Sequence, residues 1–279
     1  MSKSAQQLVQ TDILLGVTDV PVKRVALEAH PVLGSAHLVR PSQPELSLFP
    51  APIQAPPTTA LREADRDVQM GDKNQRLDAL RQRHDSECQY CTAARGHLAT
   101  VFGEGNPDAD IFFVGEAPGE SEEQSGRPFA GRAGQKLDEM IRAIGLRRED
   151  CYLANVLKSR TPDNRTPLPN EIERCGPYLV QQLLIVSPKV IVTLGGPATK
   201  LLLNVESGIT KLRGVWAEWI APAGSGQAPI ALMPTYHPSY LLRNYTVQTR
   251  GEVWADLKAV AQRITQSTQS TPSTPSTNS

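Results

Sequence analysis

The chain of 279 residues carries 29 basic and 29 acidic side chains, and 39% of its residues are hydrophobic. Zero net charge excludes a strongly electrostatic DNA-coating protein but permits a local basic groove. No run of eighteen apolar residues marks a transmembrane helix, and the N-terminus lacks the basic-then-apolar pattern of a secretory signal. The expectation is a cytoplasmic monomer with no membrane partner.

Taken in chain order, residues 1–72 come first. They hold six Lys/Arg against eight Asp/Glu, and proline recurs from Pro21 to Pro57. No helical stripe persists, so this stretch is predicted to be a disordered or weakly structured extension. Residues 73–266 are predicted to form the folded domain, and 267–279 a disordered Ser/Thr/Pro tail. Within the domain, apolar runs at Ile111–Gly115, Tyr152–Leu157, Val190–Gly195 and Ile230–Met233 read as strands buried on both faces. Helical patterns cover Gly134–Ile144, Asn170–Val186, Pro197–Leu203 and Val253–Ile264. Alternation of the two predicts an α/β fold with a parallel four-stranded sheet between helical layers. Lys211–Ile220 and the run from Ile230 read as a hairpin into the last strand.

Ligands of such sheets bind beyond the carboxyl ends of the strands. The loops there are GEAPG from Gly115, NVLKSR from Asn155, LGGPAT from Leu194, and PTYHPSYLLR from Pro234. A glycine-rich turn after a strand often cradles phosphate. Here Glu116, Glu120, Glu122 and Glu123 would repel one. The turn instead suits the edge of a flat polar ring, with Phe129 against its face; the alternative is an ordinary strand-to-helix turn with a core phenylalanine. Asn155 offers an acceptor and donors on one head and can read an imide edge, or it is a buried structural asparagine. Pro238 holds His237 extended. Tyr240, Leu241, Leu242 and Arg243 then read either as a wedge into DNA or as a helix start with core leucines. Cys88 and Cys91 form a C-x-x-C suited to a metal or cluster. Zinc would need a further ligand, for which His84 and His97 are close in sequence.

In order and spacing, these segments resemble the family-4 uracil-DNA glycosylases, the iron–sulfur type. The similarity runs from Cys88 to Asn244 through VFGEGNPDADIFFVGEAPGE, GRPFAGRAGQKLD, LANVLKSRTPDNRTPLPNEIERC, ITKLRGVW and HPSYLLRN. It implies a base-excision repair enzyme that flips uracil out of single- or double-stranded DNA and hydrolyses its N-glycosidic bond. By the resemblance, Gly115, Glu116, Ala117 and Phe129 hold the base, Asn155 reads its edge, and His237 contacts the O2 side. Glu116 is the first choice for positioning water or stabilising the sugar cation, and Glu120 the second. Tyr240 to Arg243 fill or hold the gap in the DNA.

The resemblance also implies a 4Fe–4S cluster. Cys88, Cys91 and Cys175 match three of its ligands, but Ser159 stands where the family has its other cysteine. Cys151, eight residues earlier in the same strand, should lie roughly 20 Å or more from that place. Ser159 as an alkoxide, an external ligand, or a labile or lost cluster are the open outcomes. A non-catalytic uracil- or DNA-binding protein, an iron–sulfur regulatory protein and a zinc module are the competing readings.

Overall fold

The computed structural model of the protein describes residues 72–88, 91 and 99–269. The chain divides into two units, residues 1–51 and 52–279, and all described residues belong to the second. The predicted N-terminal extension, bar Asp72, and the tail from 270 lie outside them, as does His97.

Six strands form one sheet: β1 (Glu104–Gly105), β2 (Ile111–Gly115), β3 (Tyr152–Asn155), β4 (Val190–Leu194), β5 (Ala217–Trp219) and β6 (Ile230–Thr235). Their order is β1-β3-β2-β4-β6-β5. The inner four are parallel, as expected, but β1 and β5 pair antiparallel at the two edges, so the sheet is mixed and has six strands. The edge strands are two and three residues long, too short to leave a periodicity in the sequence. The hairpin expected before the last strand is β5 against β6.

Eight helices among the described residues complete the domain: α1 (Lys73–Glu87), α2 (Glu120–Ser125), α3 (Arg132–Ala143), α4 (Pro169–Val186), α5 (Gly196–Leu203), α6 (Ile209–Leu212), α7 (Pro238–Arg243) and α8 (Val247–Gln269). None is long and apolar enough to cross a membrane. Helix α8 passes the expected domain end at 266. The expected helices α3, α4 and α5 recur within one or two residues. Helix α1 was not expected, because it is strongly polar and buries only Leu77, Leu80 and His84. Its start is nonetheless written locally. The Asp72 carboxylate accepts from Gln75 N at 2.9 Å while Gln75 Oε1 accepts from Asp72 N at 3.2 Å, a reciprocal cap.

The inner four strands are largely apolar, and their alternate residues serve two separate cores. Phe112, Val114, Tyr152, Ala154, Ile191 and Leu232 pack on one face with Leu80 of α1, Leu179 and Leu183 of α4, and Ala198 of α5. Ile111, Phe113, Leu153, Val192 and Met233 pack on the other with Leu137 and Ile141 of α3, Leu241 of α7, and Val253 and Leu257 of α8. This is the three-layer arrangement. From β2 the chain steps to β3 on one side and β4 on the other, so the carboxyl end of β2 is where the connections diverge.

Candidate active site and metal centre

Gly115 closes β2 directly opposite Asn155, the last residue of β3. A Cβ on Gly115 would sit 2.3 Å from Asn155 Oδ1 and 2.6 Å from Phe129 Cζ. Hydrogen is therefore the only side chain that lets the amide and the ring close on the strand end. The ladder continues past β3, with Val156 N donating to Gly115 O at 3.0 Å and Leu157 N to Glu116 O at 3.1 Å. The strand thus ends at Asn155, two residues before the predicted Leu157. Asn155 is 2% exposed, and its Oδ1 is buried without a hydrogen-bond partner. A buried acceptor left unpaired costs about 1–3 kcal/mol, so its retention points to a ligand that donates to it.

The Phe129 ring lies 6.2 Å from the His237 ring, their planes 31° apart. Phe129 itself has φ of +52°, a left-handed conformation costly for a side chain with a Cβ. Its neighbours enforce it. A Cβ on Gly134 would lie 1.6 Å from Phe129 O, so only glycine lets α3 dock there. Arg148 donates to the carbonyls of Phe129, at 3.3 Å, and Pro128, and pairs with Glu104 and Asp138. Burial pushes the Glu104 carboxyl up, but Arg127 and Arg148 outweigh it and hold the group below its ordinary range. At the other end of the loop, Glu122 accepts from Gly119 N at 2.9 Å and Gly131 N at 2.8 Å, stapling its two ends. The sequence reading treated Glu122 only as charge and missed Arg148 and Gly134; their roles come from contacts with backbone, which leave no motif.

His237 follows β6 and caps α7. Ser239 N donates to His237 Nδ1 at 3.1 Å, and the Ser239 hydroxyl lies 2.8 Å from the same atom. Because a backbone N–H can only donate, Nδ1 is the acceptor and the neutral ring carries its proton on Nε2. Burial, then the Arg243 charge, lowers the His237 pKa to about 4, against a smaller opposing pull from Glu122. The imidazole is therefore neutral at pH 7 and presents an N–H donor. Gly195, with φ of +92°, lets the end of β4 approach this residue: a Cβ there would meet His237 Cβ at 3.3 Å.

Glu116 is half-buried, and burial raises its pKa. Ala117 packs against the first core. Glu120 is exposed at the start of α2 and lies 3.9 Å from Arg160. In α7, Leu241 is 4% exposed and belongs to the second core. Tyr240 packs against that core with its ring 4.6 Å from Tyr236. Of the expected wedge, Tyr240 and Leu242 are half-buried and Arg243 is exposed.

On the opposite side of β3, His84 near the end of α1, Cys88 at its C-cap, Cys91 and Cys175 of α4 place one ligand atom each within 4.8 Å of one another, all buried. Cys91 Sγ is 3.4 Å from Cys175 Sγ and 3.3 Å from Ser159 Oγ. Cys151 stands apart at the head of β3. Its sulfur contacts Arg147 O at 3.6 Å, and burial pushes its thiol up to about 12. Lys158 bridges the two regions from complete burial, donating to Asn155 O at 2.8 Å and Gln182 Oε1 at 2.6 Å.

Phe129, Asn155 and His237 thus gather at the carboxyl ends of the parallel inner strands of a mixed α/β sheet. The family model described as Uracil DNA glycosylase superfamily matches residues 102–258, and the chain belongs to that superfamily. A Type-4 uracil-DNA glycosylase of Thermotoga maritima is 46% identical over 172 residues, which cover 60% of this chain and 86% of that protein. A Type-4 uracil-DNA glycosylase of Archaeoglobus fulgidus is 42% identical over 179 residues, covering 63% and 87% respectively. A Type-5 uracil-DNA glycosylase of Pyrobaculum aerophilum is 30% identical over 167 residues, covering 53% and 71%.

Proposed function

We propose that the protein is a type-4 uracil-DNA glycosylase of base-excision repair, a hydrolase of N-glycosyl bonds that removes uracil from DNA. The observation that carries this reading is the buried, unpaired Asn155 Oδ1 between the Phe129 ring and the Gly115 backbone. Uracil carries a donor at N3 beside the carbonyl at O4. Asn155 Oδ1 accepts from N3–H while its NH₂ donates to O4. Cytosine reverses that edge, leaving buried groups unpaired, and a site built on such a match rejects the mismatch strongly.

A base inside the duplex is out of reach, so the target nucleotide swings out, most cheaply from a mispair. Phe129 stacks on the extruded ring, and the 115–117 turn closes on its edge. As the C1′–N1 bond stretches, negative charge grows on the departing uracil. The neutral His237 Nε2–H donates to its O2, and that stabilisation is present before the reaction starts. Glu116 faces the positive sugar and orients the attacking water, with Glu120 as the less enclosed alternative. Leu242 and Arg243 occupy the gap left in the DNA.

The resemblance to the type-4 enzymes extends to a 4Fe–4S cluster, and the donor types suit it, three buried cysteines and a buried imidazole nitrogen; their donor atoms lie within 4.8 Å of one another and must spread apart to span it. Bound there, the cluster would tie the end of α1 and the turn at Cys91 to α4. No catalytic step passes through it.

The test is incubation of the purified protein with a uracil-containing oligonucleotide, followed by alkaline cleavage of abasic sites. Strand scission with the wild type is expected, together with a loss of about a thousandfold in Asn155→Ala. A wild-type protein that binds the oligonucleotide and leaves it intact is a non-catalytic binder and overturns the reading.

A further inference from the structure

Three cysteines leave the metal group one protein ligand short of the usual four. Ser159 lies against one of the sulfurs, but a second candidate is already built. We infer that His84, through Nε2, supplies the fourth protein ligand, and that Ser159 serves as a hydrogen-bond donor to the Cys91 sulfur.

The first ground is the state of the imidazole. His84 is completely buried, and its Nε2 has no hydrogen-bond partner. Its Nδ1 is engaged with Asp85 Oδ1 at 2.9 Å, and the Thr100 hydroxyl donates to the same oxygen at 3.0 Å. A carboxylate on one ring nitrogen fixes the proton there and aims the other nitrogen, which faces the Cys88 and Cys91 sulfurs, toward the metal position. Nε2 lies within 4.8 Å of the three sulfurs.

The second ground is preorganisation. The His84 ring stands edge-on to Tyr178 at 4.8 Å and tilted against Phe102 at 5.6 Å, so packing holds its plane. His84 and Cys88 are four residues apart at the end of α1, which puts both on one face of the helix. Cys88 N donates to His84 O at 2.9 Å and Cys91 N to Cys88 O at 3.0 Å, so the three ligands share one hydrogen-bonded turn.

The third ground is protonation chemistry. An imidazole nitrogen is an ordinary metal ligand, whereas a serine hydroxyl must become an alkoxide to ligate. The Cys91 thiol donates to Ser159 Oγ at 3.3 Å, and once that sulfur is a metal-bound thiolate the bond reverses and the Ser159 O–H donates. A cysteine-to-serine exchange at 159 is thus compatible with a complete ligand set. Replacing thiolate by imidazole removes negative charge from the cluster and raises its reduction potential.

The experiment is Mössbauer spectroscopy of the full chain enriched in ⁵⁷Fe and purified without air, as wild type, Ser159→Ala and His84→Cys, with iron and sulfide analysis. One iron in four with parameters distinct from the all-sulfur sites is expected in the wild type and in Ser159→Ala. In His84→Cys that distinct site should disappear with the iron content retained, and the midpoint potential should fall. Four all-sulfur irons in the wild type, loss of the distinct site in Ser159→Ala, its survival in His84→Cys, or a preparation without iron and sulfide each overturns the inference. The wild-type and Ser159→Ala spectra decide the matter should His84→Cys fail to fold, and all are read independently of whether the protein excises uracil.

Discussion

The pocket at the sheet edge and the Cys/His centre beside it each keep one buried polar atom without a partner, Asn155 Oδ1 and His84 Nε2. They are prepared in different ways. The pocket is assembled from the ends of β2, β3, β4 and β6, so its precision comes from sheet register and from glycines that remove steric obstacles. The metal centre joins a helix end, a turn and a second helix, segments that no common ladder ties together. The first needs a rigid frame to meet a transient guest. On the proposed function the second would be completed by a resident group that supplies its own frame. Lys158, bonded to the Asn155 carbonyl and to Gln182 of α4, is the physical link between them.

The largest test of this contrast is Gly115→Ala. Its methyl group would collide with Asn155 Oδ1 and the Phe129 ring. A displacement of the order of 1 Å in a catalytic group costs about a hundredfold in rate. Uracil release should fall by about that factor while iron content and visible absorbance stay unchanged. A parallel loss of iron would show that the regions are not separable.

Lys158→Met probes the link itself. It keeps the buried stem but leaves the Gln182 oxygen and the Asn155 carbonyl without their donor, at a cost of about 2 kcal/mol. Denaturant titration should register that loss, and both uracil release and iron retention should decline. An effect confined to one region would sever the proposed connection.

The smallest effect concerns pH. The His237 pKa is lowered in the folded protein to about 4 from the ordinary 6.5. The unfolded chain therefore binds the extra proton first as pH falls. This contribution to stability is complete above about pH 6.5 and declines through the window down to about 4. Allowing for the partial exposure of the ring, it amounts to about 1 kcal/mol by about pH 5.5. His237→Asn should flatten the stability profile across that window, and an NMR titration of the imidazole should show no protonation near 6.5.

Much of the site was legible before any coordinates, because strand ends in a parallel sheet must lie together. The apolar runs ending at Gly115 and Asn155, and the one leading to His237, therefore announced a shared edge. Helix α1 was not legible, since two leucines and a histidine at i, i+3 and i+7 in a charged segment make too weak a stripe. Its omission hid His84 among the candidates for zinc. The wedge was read too broadly as well. Only packing separates Leu241, which enters the core, from Leu242 and Arg243 beside it.

By itself, the amino-acid order determined the layered α/β plan, the cysteine pattern with its serine at 159, and the residue types at each strand end. These follow from local periodicity and chain connectivity. Tertiary structure alone decided that Arg148 and Gly134 hold Phe129 in a left-handed conformation, that Ser239 sets the His237 tautomer, and that His84 Nε2 meets three sulfurs. Such facts depend on distances between residues far apart in the chain, or on which atom of a side chain is already engaged, and a one-dimensional pattern carries neither.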